Sequence, residues 1–543
     1  MKDFILGSDE YLVTAMEYLE QSQADHKLVA GDPEQGEGDE KTTYTNVVTG
    51  KTALHVLNEA IHHLHQLHNR LAKEAASRQH QRLVATSKQL HKLKYQLKTT
   101  RDEGDRNRLV ESIMTIQKEL SADIEAKDQA AQMRISHFYA TGTGTMTPQS
   151  FYCIKEPNRS RQINKLIIDG REITDQQEII NIMQTWYEQT AMVRQPQTIT
   201  LQHFLDKYGV QLPQITDEQR DELSEPFTQQ EIYEALLDAS EASAPGPTGQ
   251  TITFFKLIYA HTPDLLQEAL NQLVFQPELA SHPTFDWIRQ RKVIYIPKKA
   301  DPTHPGDYRP LSMLEVMYKI PSRIMSKRIT RVLPTIIGQH QHGFMKQKGI
   351  QEPSLIMTHL IQDATTHNKP LQLISFDIEK AFDRISHEVI IQALRAFGFP
   401  EEYVQAVQHY TLIGFAYVEV NGRKGVLITI KTGSGQGDPM SSSLFDVGSE
   451  PLCLVLTIIM QAILYQDTGG LKAGPTIFAD DNMNPVDLPT SADLQPALTV
   501  YKDYQKVSGL GINTNKSTAL CINTPDHIQE VWGARRNLAG LTW

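Results

Sequence analysis

Apolar residues recur at three- and four-residue intervals from Thr52 to about Thr100 (Leu57, Ile61, Leu64, Leu71, then Leu90, Leu93, Leu97). They resume after Gly104 with Leu109, Ile113, Ile116, Leu120 and Ile124. That period is the stripe of an amphipathic helix, so the pattern predicts two long helices broken near Asp102 to Asp105, an antiparallel hairpin. A Gly/Thr stretch from Ala140 to Thr147 reads as a linker. Residues 161–245 then predict short strands alternating with helices. One strand, Lys165 to Ile168, closes on an Asp169-Gly170 turn, and Thr174, Thr216 and Thr228 serve as helix N-caps. Further on, LQLISFDI (Leu371 to Ile378) and TIFADD (Thr476 to Asp481) are short apolar runs that predict strands, the first ending in Asp377 and the second in Asp480 and Asp481. The longest apolar run, Leu452 to Tyr465, contains Thr457 and Gln461 and falls short of the roughly 20 residues of a membrane span, so it predicts a buried helix. No internal repeat is visible.

Composition adds limits. At 543 residues, 40% hydrophobic and 22% charged, the chain is ordinary globular protein, with room for about three or four folding units. Its net charge of -11 hides an asymmetry. Residues 1–50 hold 3 Lys+Arg against 11 Asp+Glu, and residues 170–245 hold 4 against 14; residues 51–101 hold 10 against 2, and residues 285–350 hold 13 against 4. Two basic stretches on an acidic chain suit local polyanion-binding surfaces. The cysteines Cys153, Cys453 and Cys521 lie far apart and form neither a zinc knuckle nor a disulfide framework. With no secretory signal at the acidic N-terminus, they point to an intracellular protein with reduced thiols. The histidines between His55 and His68, including His65 and His68, read as a solvated helix face, because no Asp, Glu or Cys completes a ligand set.

The strand-end aspartates carry the chemistry. Asp377, Asp480 and Asp481 clustered on one sheet would raise each other's pKa unless cations neutralised them. Two Mg2+ ions about 3.5–4 Å apart would do so and would serve nucleotidyl transfer. A Gly-punctuated loop, TGSGQGDPMSSS (Thr432 to Ser443), leads into a helix begun at Pro439 and allows close approach of backbone to a phosphate or base pair. RKVIYIPKK and DYRPLSM place Lys298, Lys299 and Arg309 within reach of a triphosphate.

In this order the boxes resemble the reverse transcriptase of non-LTR retrotransposons, the long interspersed element (LINE) type. The likeness runs over residues 55–523: Pro245 to Gly249 followed by Phe254, Phe255 and Lys256; Ile296, Pro297, Lys298; Tyr308 to Ser312; Gln341, Gly343, Phe344; Asp377, Lys380, Ala381, Phe382, Asp383; Gln436, Gly437, Asp438, Pro439, Ser441; Phe478 to Asp481; and Ser508 to Asn513 with Lys516 and Ser517. The resemblance implies an α+β right-hand polymerase with palm and fingers, preceded by the helical hairpin. It implies metal ligation by Asp377, Asp480, Asp481 and the carbonyl of Ile378. Lys298, Arg309, Phe382, Gln436 and Lys516 would bind the dNTP, with Phe382 the gate that excludes a ribose 2′-hydroxyl. Gly343, Phe344, Gly437, Asp438 and Pro439 would face template and primer. Two Mg2+ ions, with Mn2+ as a substitute, are the implied cofactors; RNA template, DNA primer or target and dNTPs are the partners, with no membrane. The implied location is the nucleus and/or a cytoplasmic ribonucleoprotein.

The corresponding organisation is an acidic, disordered tail (1–50), the hairpin (51–139), a linker with an N-terminal extension (140–245), fingers (246–370), palm (371–523) and a truncated start of primer grip and thumb (524–543). No segment resembles the family's endonuclease, so a fragment or truncated element is expected. Gly435 stands where the family usually has Arg, Thr248 replaces Asp, and Pro485 is expected to shorten the catalytic hairpin for want of an amide donor. Phe344 is expected in the core, and Asp383 to cap the following helix. Other readings are an intron-maturase-type reverse transcriptase, disfavoured by Gln436 to Pro439; RNA-dependent RNA synthesis, disfavoured by the bulk of Phe382; and a decayed polymerase fold that holds RNA without copying it.

Overall fold

In a computed structural model of the chain, the described residues are 162–191, 199–241, 243–345, 348–470, 472, 474–478, 481–487, 494–513 and 516–523, with 52–64 and shorter pieces between 66 and 116. The acidic tail, the Gly/Thr linker, the 524–543 segment, His65, His68 and Asp480 lie outside them. The chain divides into two compact units: residues 1–160 with 236–270, and residues 161–235 with 271–543. The sequence-based border at 245/246 therefore falls inside a stretch grouped with the N-terminal residues.

In the first unit, residues 53–64 are helical and bury Leu57, Ile61 and Leu64 along one stripe. Leu90, Ile113 and Ile116 share one apolar cluster with Leu93 and Leu97. The helix Ile252–His261 starts at Thr251, whose hydroxyl accepts from the Phe254 amide, and it buries Phe254 and Phe255.

The second unit is α+β. Its strands are β1 (Leu166–Ile168), β2 (Arg171–Ile173), β3 (Gln290–Pro297), β4 (Tyr308–Leu314), β5 (Leu371–Asp377), β6 (Gly414–Val420), β7 (Arg423–Lys424), β8 (Ile428–Ile430), β9 (Thr476–Phe478), β10 (Asp481–Val486) and β11 (Thr518–Ile522). The β1–β2 hairpin turns on Asp169 (φ 49°) and Gly170 (φ 79°), the pair of positive φ angles that a two-residue Asp-Gly turn requires. A mixed sheet runs β4-β3-β6-β7 with β8 on β6, and an antiparallel sheet runs β11-β5-β10-β9. Thr216 and Thr228 cap their helices as expected, each accepting from the amide three residues on. Thr174 does not: the Asp175 carboxylate accepts from the amides of Gln177 and Glu178 and starts the helix Gln176–Ala191.

β5 is covered on both faces. Alternation puts Leu371 and Leu373 on one face, clustered with Leu360 and Ala364 of the helix Gln351–His367. Phe376 points the other way, its ring 5.0 Å from Tyr501 of the helix Gln495–Ser508. β10 runs beside β5 for six residues, from Asp481↔Asp377 to Val486↔Gln372, so Pro485 does not shorten the hairpin. The Pro485 carbonyl accepts from Tyr465 on the side away from β5, and its missing N–H falls on that side too, where no β5 bond is lost.

The apolar run Leu452–Tyr465, expected as a buried helix, is helical only in part: the helix spans Ser441–Ile459 with a further turn Met460–Ala462, and begins two residues after Pro439, which lies in the preceding turn. It is the one helix among the described residues long and apolar enough to cross a membrane, and it is largely buried within the fold. It also carries two buried acids one turn apart, Asp446 and Glu450. Glu450 accepts from the Gly338 amide at 2.8 Å. Burial pushes its carboxyl up to about 8 and pushes Asp446 well above the carboxylate range. A second anchor is Arg328 on the helix Val316–Ile336. Its guanidinium donates to both Glu231 oxygens (2.8 and 2.9 Å) and to the carbonyls of Glu225 and Pro226, and lies over the Phe227 ring.

Two stability measurements follow from these groups. Arg328→Ala strands Glu231 and two carbonyls and should cost about 3–5 kcal/mol in urea denaturation, while the paired apolar replacement R328M/E231L should recover most of the loss. The raised carboxyls of Asp446 and Glu450 bind protons more tightly folded than unfolded. Their contribution is complete below the unfolded carboxylate pKa of about 4.3 and is lost as pH rises toward that of the folded state. Glu450→Gln should therefore raise the thermal midpoint at pH 8.5 and change it little at pH 4.5; an equal shift at both would show that Glu450 is charged throughout.

Candidate active site

The end of β5 is bracketed by hydrogen bonds. The Asp377 amide donates to Ser517 Oγ (3.1 Å), and its carbonyl accepts from the Asn513 amide (2.7 Å). Glu379 donates to the Gly511 carbonyl (2.9 Å), and Ile378 bridges Ile512. The backbone of Asp377 thus faces the β11 side, and strand alternation turns the amide and carbonyl of Ile378 toward β10. By the same alternation, Asp377↔Asp481 is a non-hydrogen-bonded pair, whose Cα atoms stand about 4.5 Å apart with both side chains on one face. Like charges directly opposite destabilise a ladder. Hard carboxylate oxygens on one face, with a backbone carbonyl turned beside them, are a donor set suited to Mg2+. Asp480, the third expected carboxylate, is outside the described residues.

After Asp377 the chain reverses through Lys380 (φ 49°) into the short helix Ala381–Arg384. This brings Phe382 between Phe445 (centroids 4.5 Å apart) and Phe344, which meets it edge-on at 5.8 Å. Phe344 is 45% exposed rather than in the core. It ends a loop in which Gly343 donates to Gln341 Oε1 (3.0 Å) and His342 donates to the Ile477 carbonyl of β9 (2.7 Å). Asp383 does not cap the next helix, His387–Ala396; Ser386 does, accepting from the Glu388 amide at 3.1 Å.

The Gly-rich loop lies between this turn and β4. Gly433 and Ser434 donate to the carbonyls of Ile385 (2.8 Å) and Phe382 (3.0 Å), and Ser312 donates to the Gln436 carbonyl (3.3 Å). A Cβ on Gly433 would lie 2.8 Å from the Phe382 carbonyl, and one on Gly437 2.9 Å from that of Ser312, so only glycine allows the loop this close. At Gly435 (φ 78°) a Cβ would collide with the buried guanidinium of Arg291, whose Nη2 donates to the Thr411 carbonyl (3.0 Å). Asp438 is turned inward rather than toward a template. It accepts from the Tyr318 hydroxyl, from Ser322 (2.6 Å) and from the Met440 amide (2.9 Å), tying the loop to the helix Val316–Ile336.

Arg309 and Lys516, which lies more than 200 residues further along the chain, both come within electrostatic range of Lys298. Burial lowers the Lys298 ammonium pKa, and the charges of Arg309 and Lys516 lower it further, against Asp383 and Asp307. All three side chains are exposed, a cluster of cations that an anion would relieve. Lys299 instead pairs with Asp307 at 3.0 Å.

Behind Gln436 lies a cavity lined by Tyr187, Arg291, Ser312 and Asp383, among others. Desolvation pushes the Asp383 carboxyl up to about 6, against the positive charges of Lys380, Lys298 and Arg384. Sequence reading missed Tyr187 and Arg291. The available signal was alternation on β3, which sets Arg291 on the inward face with Val293.

Residues 296–535 match the family model described as reverse transcriptase (RNA-dependent DNA polymerase). The chain is 26% identical over 310 residues to the transposon TX1 uncharacterized 149 kDa protein of Xenopus laevis, covering 57% of this chain and 23% of that protein. It is 25% identical over 290 residues to the retrovirus-related Pol polyprotein from type-2 retrotransposable element R2DM of Drosophila melanogaster, covering 53% and 26%. Over 149 residues it is 28% identical to the RNA-directed DNA polymerase from mobile element jockey of the same fly, covering 27% and 16%. The chain thus spans about a quarter of the length of the first of these curated relatives. Over residues 296–535 the chain is therefore similar to reverse transcriptases, and the relatives it matches include proteins of retrotransposable elements.

Proposed function

We propose that the chain is an RNA-directed DNA polymerase, extending a DNA primer on an RNA template by two-metal nucleotidyl transfer. The observation that carries this reading is the opposition of Asp377 and Asp481 on one face of β5 and β10. In this reading the β11-β5-β10-β9 sheet is the palm, and the β3–β4 hairpin belongs to the fingers. Asp377, Asp480, Asp481 and the Ile378 carbonyl would hold two Mg2+ ions, replaceable by Mn2+. When bound, the ions activate the primer 3′-hydroxyl and neutralise the leaving pyrophosphate.

The chain's own residues do the rest. Lys298, Arg309 and Lys516 hold the triphosphate, whose charge relieves their mutual repulsion. Phe382, wedged between Phe344 and Phe445, presents a fixed aromatic wall to the sugar. Gln436 and Gly437 lie against the new base pair, with their backbone height fixed by Ser312. Exposed Phe344 and Gly343 face template and primer. Asp438 and Pro439 act indirectly, by holding the loop. Work on RNA and DNA in the nucleus and/or a cytoplasmic ribonucleoprotein fits this activity.

Primer extension by the 543-residue chain on an RNA template, beside filter binding of the same RNA, tests the reading. Asp377→Asn and Asp481→Asn should each lower extension by about three decades, roughly 4 kcal/mol of transition-state stabilisation, with RNA affinity nearly unchanged because phosphate neutralisation needs no bound metal. A parent chain that binds RNA tightly yet extends nothing with Mg2+ or Mn2+ would establish the binding-only alternative. Sugar choice is tested at the wall. Phe382→Ala should admit ribonucleotides by removing a steric block, and unchanged discrimination between dNTP and NTP in an active variant would place the gate elsewhere.

A further inference from the structure

We propose that Trp186 and Thr190, on a helix ahead of the matched domain, are positioning residues for the turn that carries Phe382, acting through Lys380; the proposal rests on the polymerase reading above. Lys380 follows Asp377 by three residues, precedes Phe382 by two, and takes φ 49°, a left-handed conformation that residues bearing a Cβ disfavour. A backbone held there needs its surroundings to impose it. The lysine side chain supplies the restraint: its ammonium lies 4.6 Å from the centre of the Trp186 ring and donates to Thr190 Oγ1 at 2.9 Å. A cation over an indole face and a hydrogen bond to a buried hydroxyl fix it from two directions.

The partner helix is itself fixed. Ile179, Ile180, Met183 and Tyr187 pack in one core cluster with Val293 of β3 and with Ala416 and Val418 of β6. The Tyr295 hydroxyl donates to the Met183 carbonyl at 2.8 Å, and the Trp186 ring meets His304 edge-on at 5.1 Å. At the end of the helix, Thr432 Oγ1 reaches both the Thr190 carbonyl (3.4 Å) and the Asp383 carbonyl (3.1 Å), so one hydroxyl joins the helix to the far side of the same turn. The turn is therefore held through Lys380 before Phe382 and through Asp383 after it. The family match begins only at residue 296; the restraint comes from outside it.

The test uses the full 543-residue chain and two readouts: hydrogen–deuterium exchange across residues 378–386, and steady-state kinetics with dNTP and NTP. Trp186→Ala and Lys380→Met should each speed exchange in that segment about tenfold. Both should raise the dNTP KM several-fold, with kcat within about twofold, and relax sugar discrimination. The double variant should be no worse than either single one, since both remove one interaction. Trp186→Phe, which keeps an aromatic face, should restore parent behaviour where Trp186→Leu does not. Should Trp186→Ala fail to fold, Thr190→Val, which removes only the hydroxyl, should show the same changes in smaller measure at an unchanged thermal midpoint. Unaltered exchange at 378–386, additive single effects, or Leu serving as well as Phe would overturn the proposal. A parent chain that extends no primer, with exchange still responding to Trp186, would refute the polymerase reading and leave the restraint standing.

Discussion

Two carboxylates set directly across a ladder repel each other, and a protein that places Asp377 opposite Asp481 must hold both strands against that repulsion. The structure meets the demand with hydrogen bonds along both edges of β5 and apolar packing on both of its faces. Asn513, Ser517 and Gly511 bond the end of β5 on one side, and the unbroken six-residue pairing with β10 holds the other. Apolar layers on both faces, Tyr501 on one and Leu360 with Ala364 on the other, keep β5 from shifting register. A slip of one residue would send Asp377 to the Phe376 face and bury its charge.

Around that ladder the remaining groups are arranged by close approach. The loop from Thr432 to Gly437 lies against the Phe382 turn and β4 at distances that leave no space for side chains at Gly433 or Gly437. Asp438, the next residue, is buried as its anchor. Lys298 and Arg309, at the β3–β4 hairpin, and Lys516, from a distant part of the chain, gather with their side chains exposed. Rigid support thus lies underneath and charge above, an arrangement suited to an anionic ligand that must enter and leave.

Much of this was legible in the sequence, and the failures have physical causes. β5, β9, the Asp-Gly turn and the helix of residues 441–459 follow from apolar runs and turn residues, which act locally. The exclusion of Pro485 from a strand failed because the missing amide matters only on the side of the strand that is paired, a fact of register that local sequence does not hold. Phe344 was expected inside on hydrophobicity alone, yet its neighbour is Phe382, nearly 40 residues away. Thr174 lost the cap to Asp175, a competitor one residue along. Asp438 sits in a motif that suggests a role facing ligand, and only the packing of Tyr318 and Ser322 shows its carboxylate turned inward. Tyr187 and Arg291 carry no motif; their positions come from tertiary packing of a helix and a strand about a hundred residues apart.

The meeting of Arg291 with Gly435 constrains which changes this chain can accept. A Cβ at 435 would overlap the guanidinium, so a residue larger than glycine there requires the Arg291 side chain to shift, and the positive φ at 435 adds to the penalty. A larger residue at 435 would be eased by a shorter one at 291, so changes at the two positions are coupled through this contact. The two sites are coupled although 143 residues lie between them, and a variant with a bulky residue at 435 should be best tolerated with a small one at 291.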